Sequence, residues 1–171
     1  MEKRTLNVGC GPSLEGSVRL DMTRKSKATV LGLALPMAFR DHVFDVILAE
    51  NVLEHMPDPL SFLIECRRIL RAGGLLRLVT DNYGYRGFHP LLRGFEDRHG
   101  AYRNPDAPRD RHYMVFGIPH VRNLLEESGF RIVTLRLFTR WRPTLIQLFW
   151  TWVHPNIGHS HIYAEAMPQY P

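Results

Sequence analysis

The sequence predicts an α/β domain with a mainly parallel sheet. Three observations carry this expectation. Short apolar runs rich in Val, Ile and Leu recur along the chain, and Val43–Ala49 is the clearest of them. These runs are nearly continuous instead of alternating, as in strands buried on both faces. Apolar residues at helical spacing separate several of them, most plainly from Pro59 to Leu70.

Taken in order, Thr5–Val8 reads as a buried strand ending in a tight turn at Gly9. Ser17–Asp21 is a second short strand that ends at an acid, and Ala28–Leu31 is a weaker third. Val43–Ala49 is the fourth. Within Pro59–Leu70 the residues Leu60, Phe62, Leu63, Ile64, Cys66, Ile69 and Leu70 fall close to helical spacing, and Gly73-Gly74 fits a helix end and turn. Leu75–Val79 is a further buried strand. Ile118–Ser128 reads as a helix closed by Gly129, Phe130–Phe138 as a strand and Ile162–Ala166 as a last strand. We read residues 1–171 as one domain, with 83–113 inserted as a lid or substrate wall and 139–161 as an apolar C-terminal insertion.

The 171 residues carry 22 Lys+Arg and 17 Asp+Glu, a net charge of +5. That length suffices to bury a core. A content of 44% hydrophobic and 23% charged residues excludes disordered, collagen-like and coiled-coil chains. Two cysteines, Cys10 and Cys66, are too few for a disulfide scaffold or a four-cysteine zinc site, and a reduced, cytoplasmic protein is the expectation. The first residues lack the apolar stretch of a signal peptide. No run approaches the roughly 18 apolar residues of a membrane span. The mild positive charge permits an anionic partner without requiring one.

Parallel sheets bind ligands outside the carboxyl ends of their strands, so those positions are read for chemistry. After the first strand comes Gly9-Cys10-Gly11-Pro12-Ser13, where two glycines allow a sharp turn and close approach of a ligand. Asp21 stands at the end of the second strand, placed to accept hydrogen bonds from a ribose diol. The third glycine of a dinucleotide fingerprint is replaced by Leu14, and only a few residues precede the next strand, which argues against a nicotinamide enzyme. Glu50-Asn51-Val52-Leu53-Glu54-His55 follows the fourth strand and Asp81-Asn82-Tyr83 the fifth.

In this order LNVGCG, VRLD, ALPMAFRDHVFDVILAENVLEH, RILRAGGLLRLVTDN and LLEESGF resemble the class I S-adenosylmethionine-dependent methyltransferases, in their small-molecule, type 11 form. The resemblance covers about residues 4 to 138. It implies a Rossmann-like fold with helices on both sheet faces and S-adenosylmethionine as cofactor. Gly9 and Gly11 would lie under the methionine part, Asp21 on the ribose hydroxyls, Leu33 and Ala34 near the adenine, and Glu50 and Asn51 beside the methionine and sulfonium. Asn7, Cys10 and Met22 complete the implied cofactor set. Members usually carry helices before and after the first strand; this sequence starts at that strand and runs almost directly to the second, like a short branch of the family. That implies a fold truncated at the N-terminus.

Such a reaction needs a nucleophile aligned with the methyl group, and a hydroxyl acceptor needs a base. Candidate bases are His55, Asp81 and His112. The segment Tyr83–Tyr113 interleaves six arginines with aromatic residues, which suits the acceptor side of a pocket. The acceptor is read as a small molecule, a glycan or a lipid-linked group. RNA or protein methylation, and a non-catalytic partner protein that keeps the fold, are the alternatives. Nucleic acid as a partner is thus open but disfavoured. His154, His159 and His161 read as ordinary hairpin residues, and no metal is expected.

From Thr139 to His154 a basic start precedes an apolar helical stripe of Leu145, Leu148, Phe149 and Trp152. The stripe fits a peripheral membrane contact, a homodimer contact or an element packed on the sheet, the last being preferred.

Overall fold

A computed structural model describes residues 3–85, 112–140 and 145–170, the side chains of 146 and 147 excepted. Seven strands form one sheet in the order β3-β2-β1-β4-β5-β7-β6. They are β1 (Thr5–Val8), β2 (Val18–Asp21), β3 (Val30–Leu31), β4 (Phe44–Glu50), β5 (Leu70–Asp81), β6 (Phe130–Phe138) and β7 (His161–Pro168). β1 pairs in parallel with β2 and β4, β2 with β3, and β4 with β5. β7 is antiparallel to both β5 and β6. The carboxyl ends of β1 to β6 therefore share one edge of the sheet. β7 runs the other way, so its first residue, His161, comes to that same edge.

Helix α1 (Pro59–Ile69) follows from its sequence. Asp58 accepts the N–H of Ser61 as N-cap, and Pro59 fits the first turn, where its missing N–H costs nothing. Phe62, Leu63, Cys66 and Ile69 recur at helical spacing and are buried against Leu6, Ile47, Leu76 and Leu78 of the sheet. Helix α2 (Ile118–Glu127) buries Val121 and Leu125 in the same core. Arg68 of α1 holds the segment before β4: it pairs with Glu65 and Asp41 and donates to the carbonyls of Met37 and Phe39. Glu65 in turn accepts the N–H of Met37 at 2.9 Å.

Three boundaries differ from the sequence reading. Gly73-Gly74 does not end a helix: α1 stops at Ile69 and β5 starts at Leu70. The pair sits in an irregular stretch where the register with β4 shifts between Phe44 and Val46. β3 is only two residues long because it lies at the sheet edge and both its side chains are exposed. β7 extends beyond Ile162–Ala166 because both its neighbours pair with it along its length.

The apolar stripe near the C-terminus is also corrected. Helix α3 (Leu145–Val153) forms, but it leaves Leu145 85% and Trp152 83% exposed, with Leu148 and Phe149 about half exposed. It follows β6 at the carboxyl edge and leans on the short helix α4 (Pro155–Gly158), where Gly158 lies against Thr151. It therefore does not pack its stripe on the sheet. Most of the predicted 83–113 wall, residues 86–111, lies outside the described residues.

Candidate active site

Register sets the geometry of the crevice. Val8 pairs with Leu20 on one side and with Ala49 on the other. Gly9, Asp21 and Glu50 are the next residues on three adjacent strands, so they arrive at the carboxyl edge at one level. Gly9 and Gly11 have φ of 62° and 50°, the left-handed region that glycine enters without a Cβ clash. A Cβ at Gly9 would lie 2.7 Å from Val52 Cγ2, whereas one at Gly11 would meet no protein atom within 4 Å. The loop thus closes inward on the core and opens outward at Gly11.

Asp21 does more than face a ligand. Its carboxylate accepts the N–H of Gly11 at 2.8 Å and of Thr23 at 2.7 Å. Asn7 is buried, and its amide donates to Glu15 O at 3.2 Å and Ser13 Oγ at 3.4 Å, holding the loop from below. Cys10 is buried, and burial together with the Asp21 carboxylate pushes its thiol up, so it stays protonated. Met22 and Leu33 are about half exposed, and Ala34 packs on the core edge.

Glu50 and Asn51 meet a residue the sequence reading passed over. Arg140, two residues past β6, donates to Glu50 Oε2 and to Asn51 Oδ1, both at 2.9 Å. A cavity of about 340 Å³ opens beside this pair, walled by Arg77, Arg136, Phe138 and Tyr163. Asn51 has φ 53°, which turns the chain out of β4 into a 3₁₀ turn at Leu53–His55.

That turn builds the second half of the site. Glu54 is 1% exposed and accepts from Thr80 Oγ1 at 2.8 Å and from Asn51 Nδ2 at 3.0 Å. The rings of His55 and His112 stand edge to face with centroids 4.5 Å apart. Single ligating atoms of Glu54, His55 and His112 all lie within 4.8 Å of one another. His112 Nδ1 is 3.9 Å and His161 Nε2 3.6 Å from the Asp81 carboxylate. Burial, reinforced by the Glu54 carboxylate, raises Asp81 to about 7, while His55 opposes the shift. Burial and then Arg140 lower His161 to about 4. At neutral pH the His161 imidazole is therefore neutral and Asp81 is poised between its two forms.

All three predicted bases, His55, Asp81 and His112, thus come together. Of the three late histidines, only His161 joins them. His154 caps α4 through the N–H of Asn156, and the His159 ring lies 2.9 Å from Pro155 O, outside β7. Glu54, Thr80, Arg140 and His161 are the members that sequence reasoning did not select. Glu54 had a signal, as an acid in the polar segment after the fourth strand, and His161 had one as a histidine that was set aside.

The methyltransferase domain family, type 11, matches residues 14–78. Among curated relatives, a ubiquinone biosynthesis O-methyltransferase of Histophilus somni is 28% identical over 127 residues, 56% of this chain and 52% of the relative. One from Cereibacter sphaeroides is 32% identical over 116 residues, 54% of this chain and 47% of the relative. The chain spans about half the length of these relatives. A SAM-dependent methyltransferase structure from Methanosarcina mazei superposes with a TM-score of 0.67 at 17% identity, over 99% of this chain and 94% of the other.

The chain has the class I S-adenosylmethionine-dependent methyltransferase fold.

S-adenosylmethionine is the cofactor of that fold, and the residues present fit it. The space beyond Gly11 is open, the loop there is short-sided, and carboxylates stand at the ends of the two flanking strands. Glu50 and Arg140 place opposite charges side by side at the same edge.

Proposed function

We propose that this protein transfers a methyl group from S-adenosylmethionine to a hydroxyl of a small-molecule, glycan or lipid-linked acceptor. The observation that carries the reading is the levelling of Gly9, Asp21 and Glu50 on three adjacent parallel strands, with open space at Gly11. When bound, the cofactor supplies a carbon already activated by its sulfonium. The chain's own residues do the rest. The loop from Gly9 to Gly11 and the Glu50–Arg140 pair hold the methionine end, and Asp21 both fixes the loop and offers its remaining lone pairs to ribose hydroxyls. Leu33 and Ala34 flank the adenine.

The acceptor side is the cluster beyond β4 and β5. Asp81, at about 7, suits receipt of a hydroxyl proton near neutral pH. His55 and His112 stand beside it and orient the acceptor. The arginines and aromatic rings walling the neighbouring cavity suit an acceptor with an aromatic or anionic part. The curated relatives above carry the name ubiquinone biosynthesis O-methyltransferase, which makes an aromatic hydroxyl the first class to test.

The test is a screen of the purified protein with cofactor labelled in its methyl group. Phenolic hydroxyls, glycan hydroxyls, amines and RNA are offered in parallel. Label entering a hydroxyl acceptor is the expected result. Label entering only amines or RNA overturns the acceptor class.

A further inference from the structure

Building on the acceptor side described above, we propose that Glu54, His55 and His112 form a site for one divalent transition-metal cation. This departs from the sequence reading, in which no metal was expected. One carboxylate and two imidazoles place their ligating atoms within 4.8 Å of one another. Zinc-type ions hold such atoms at roughly 2.0–2.2 Å, which puts neighbouring ligands roughly 3–4 Å apart. Small side-chain rotations close the remaining gap. The two rings are perpendicular, with an interplanar angle of 89° and centroids 4.5 Å apart.

The surroundings match those of a metal centre. Ligating carboxylates and imidazoles are characteristically fixed by a second layer of hydrogen bonds. Here Thr80 and Asn51 each donate to one oxygen of Glu54. The Asp81 carboxylate lies 3.9 Å from His112 Nδ1, close enough to favour an imidazole at this position electrostatically. Glu54 is buried and the turn that carries it is anchored: Tyr113 N donates to Glu54 O at 2.8 Å, tying the His112 segment to the same turn.

Ligand chemistry selects the ion. Magnesium and calcium take oxygen donors, whereas two imidazoles and one carboxylate suit zinc, iron(II), cobalt or nickel. Three protein ligands leave a position open, as in catalytic rather than structural sites. An acceptor oxygen is the ligand such a position would take.

The experiment uses tag-free full-length protein, stripped with chelator and titrated with cobalt(II) and with zinc(II). One equivalent should bind, with cobalt giving visible absorption bands of low-symmetry coordination. His55→Ala and His112→Ala, shown folded by circular dichroism, should each weaken binding at least tenfold, and the double variant should lose it. Thr80→Val should weaken it less than either. Failure of wild type to bind an equivalent, or equal binding by the double variant, overturns the site. S-adenosylmethionine is titrated into the metal-free protein in parallel. Cofactor heat without metal binding removes only the metal site. Metal binding without cofactor heat removes the methyl-transfer reading and leaves the metal site standing.

Discussion

The backbone N–H of Gly11 donates to Asp21 Oδ2 at 2.8 Å, across ten residues of chain. The acid at the end of β2 therefore fixes the open turn at the end of β1. Asp21→Ala should weaken S-adenosylmethionine binding by roughly 1–3 kcal/mol, the scale of lost charge-assisted hydrogen bonds. Calorimetric titration checks it, and unchanged affinity in the folded variant removes Asp21 from the site. Gly9→Ala acts differently. Its methyl would meet Val52 at 2.7 Å in a left-handed backbone, so urea denaturation should show a loss of roughly 2 kcal/mol or more.

Asp81 and His161 should cancel each other's effect on stability. From about pH 4 to 6.5 both are neutral in the fold, since Asp81 is raised to about 7 and His161 lowered to about 4. In the unfolded chain both are charged there. Each state of the pair then holds one proton, and linkage gives no slope. Asp81→Asn exposes the His161 effect: stability present above pH 6.5 is lost as pH falls toward 4. His161→Gln exposes the Asp81 effect: stability present below about pH 4 is lost as pH rises toward 7. Each loss is on the order of 3 kcal/mol. Urea midpoints across pH on chelator-treated protein test this, and slopes equal to wild type in both variants contradict it.

Glu65 and Arg68 should anchor the loop before β4. The guanidinium makes two hydrogen bonds of 2.8 Å to the carboxylate, and it holds Glu65 below the usual carboxylate range. That contribution is present above about pH 4.5 and is lost as pH falls through the lowered value. Glu65→Gln should cost roughly 1–3 kcal/mol at pH 7. The difference from wild type should shrink in acid, as read from denaturation at pH 7 and pH 3.5.

The exposed stripe of α3 should tolerate charge. Trp152→Glu should change folding stability by no more than about 0.5 kcal/mol, as for an exposed site. Phe62→Ala, in the core, should cost about 3–5 kcal/mol. A large loss in Trp152→Glu would restore the packed reading of that helix.

Much of this architecture was legible because buried parallel strands write themselves as continuous apolar runs. Val43–Ala49 needed nothing more, and the apolar spacing within Pro59–Leu70 announced α1, whereas Phe130–Phe138 is a half-exposed edge strand whose residues alternate. The placement of Gly9, Asp21 and Glu50 at the carboxyl edge was legible for the same reason, since strand ends locate them. The acceptor half was legible only in part. His55, Asp81 and His112 stood out as titratable residues, but Arg140 lies about 90 residues from Glu50 and only the β6–β7 topology joins them. His161 became visible once β7 was known to run antiparallel beside β5 and to start opposite Asp81. Helix α3 shows the opposite case. Its periodicity was correct, but periodicity identifies an apolar face without saying what covers it.

Binding of S-adenosylmethionine at the Gly11 opening is most directly tested by one calorimetric titration on wild type and Gly11→Ala. At Gly11 a new methyl meets no protein atom within 4 Å, so the variant keeps its core and carries backbone strain of about 1–2 kcal/mol. The methyl instead enters the space assigned to the cofactor. Wild type should bind one equivalent, and the folded variant should bind at least tenfold more weakly. Absence of heat and of any thermal shift with wild type at millimolar cofactor would contradict the cofactor site, as would equal binding by the two proteins.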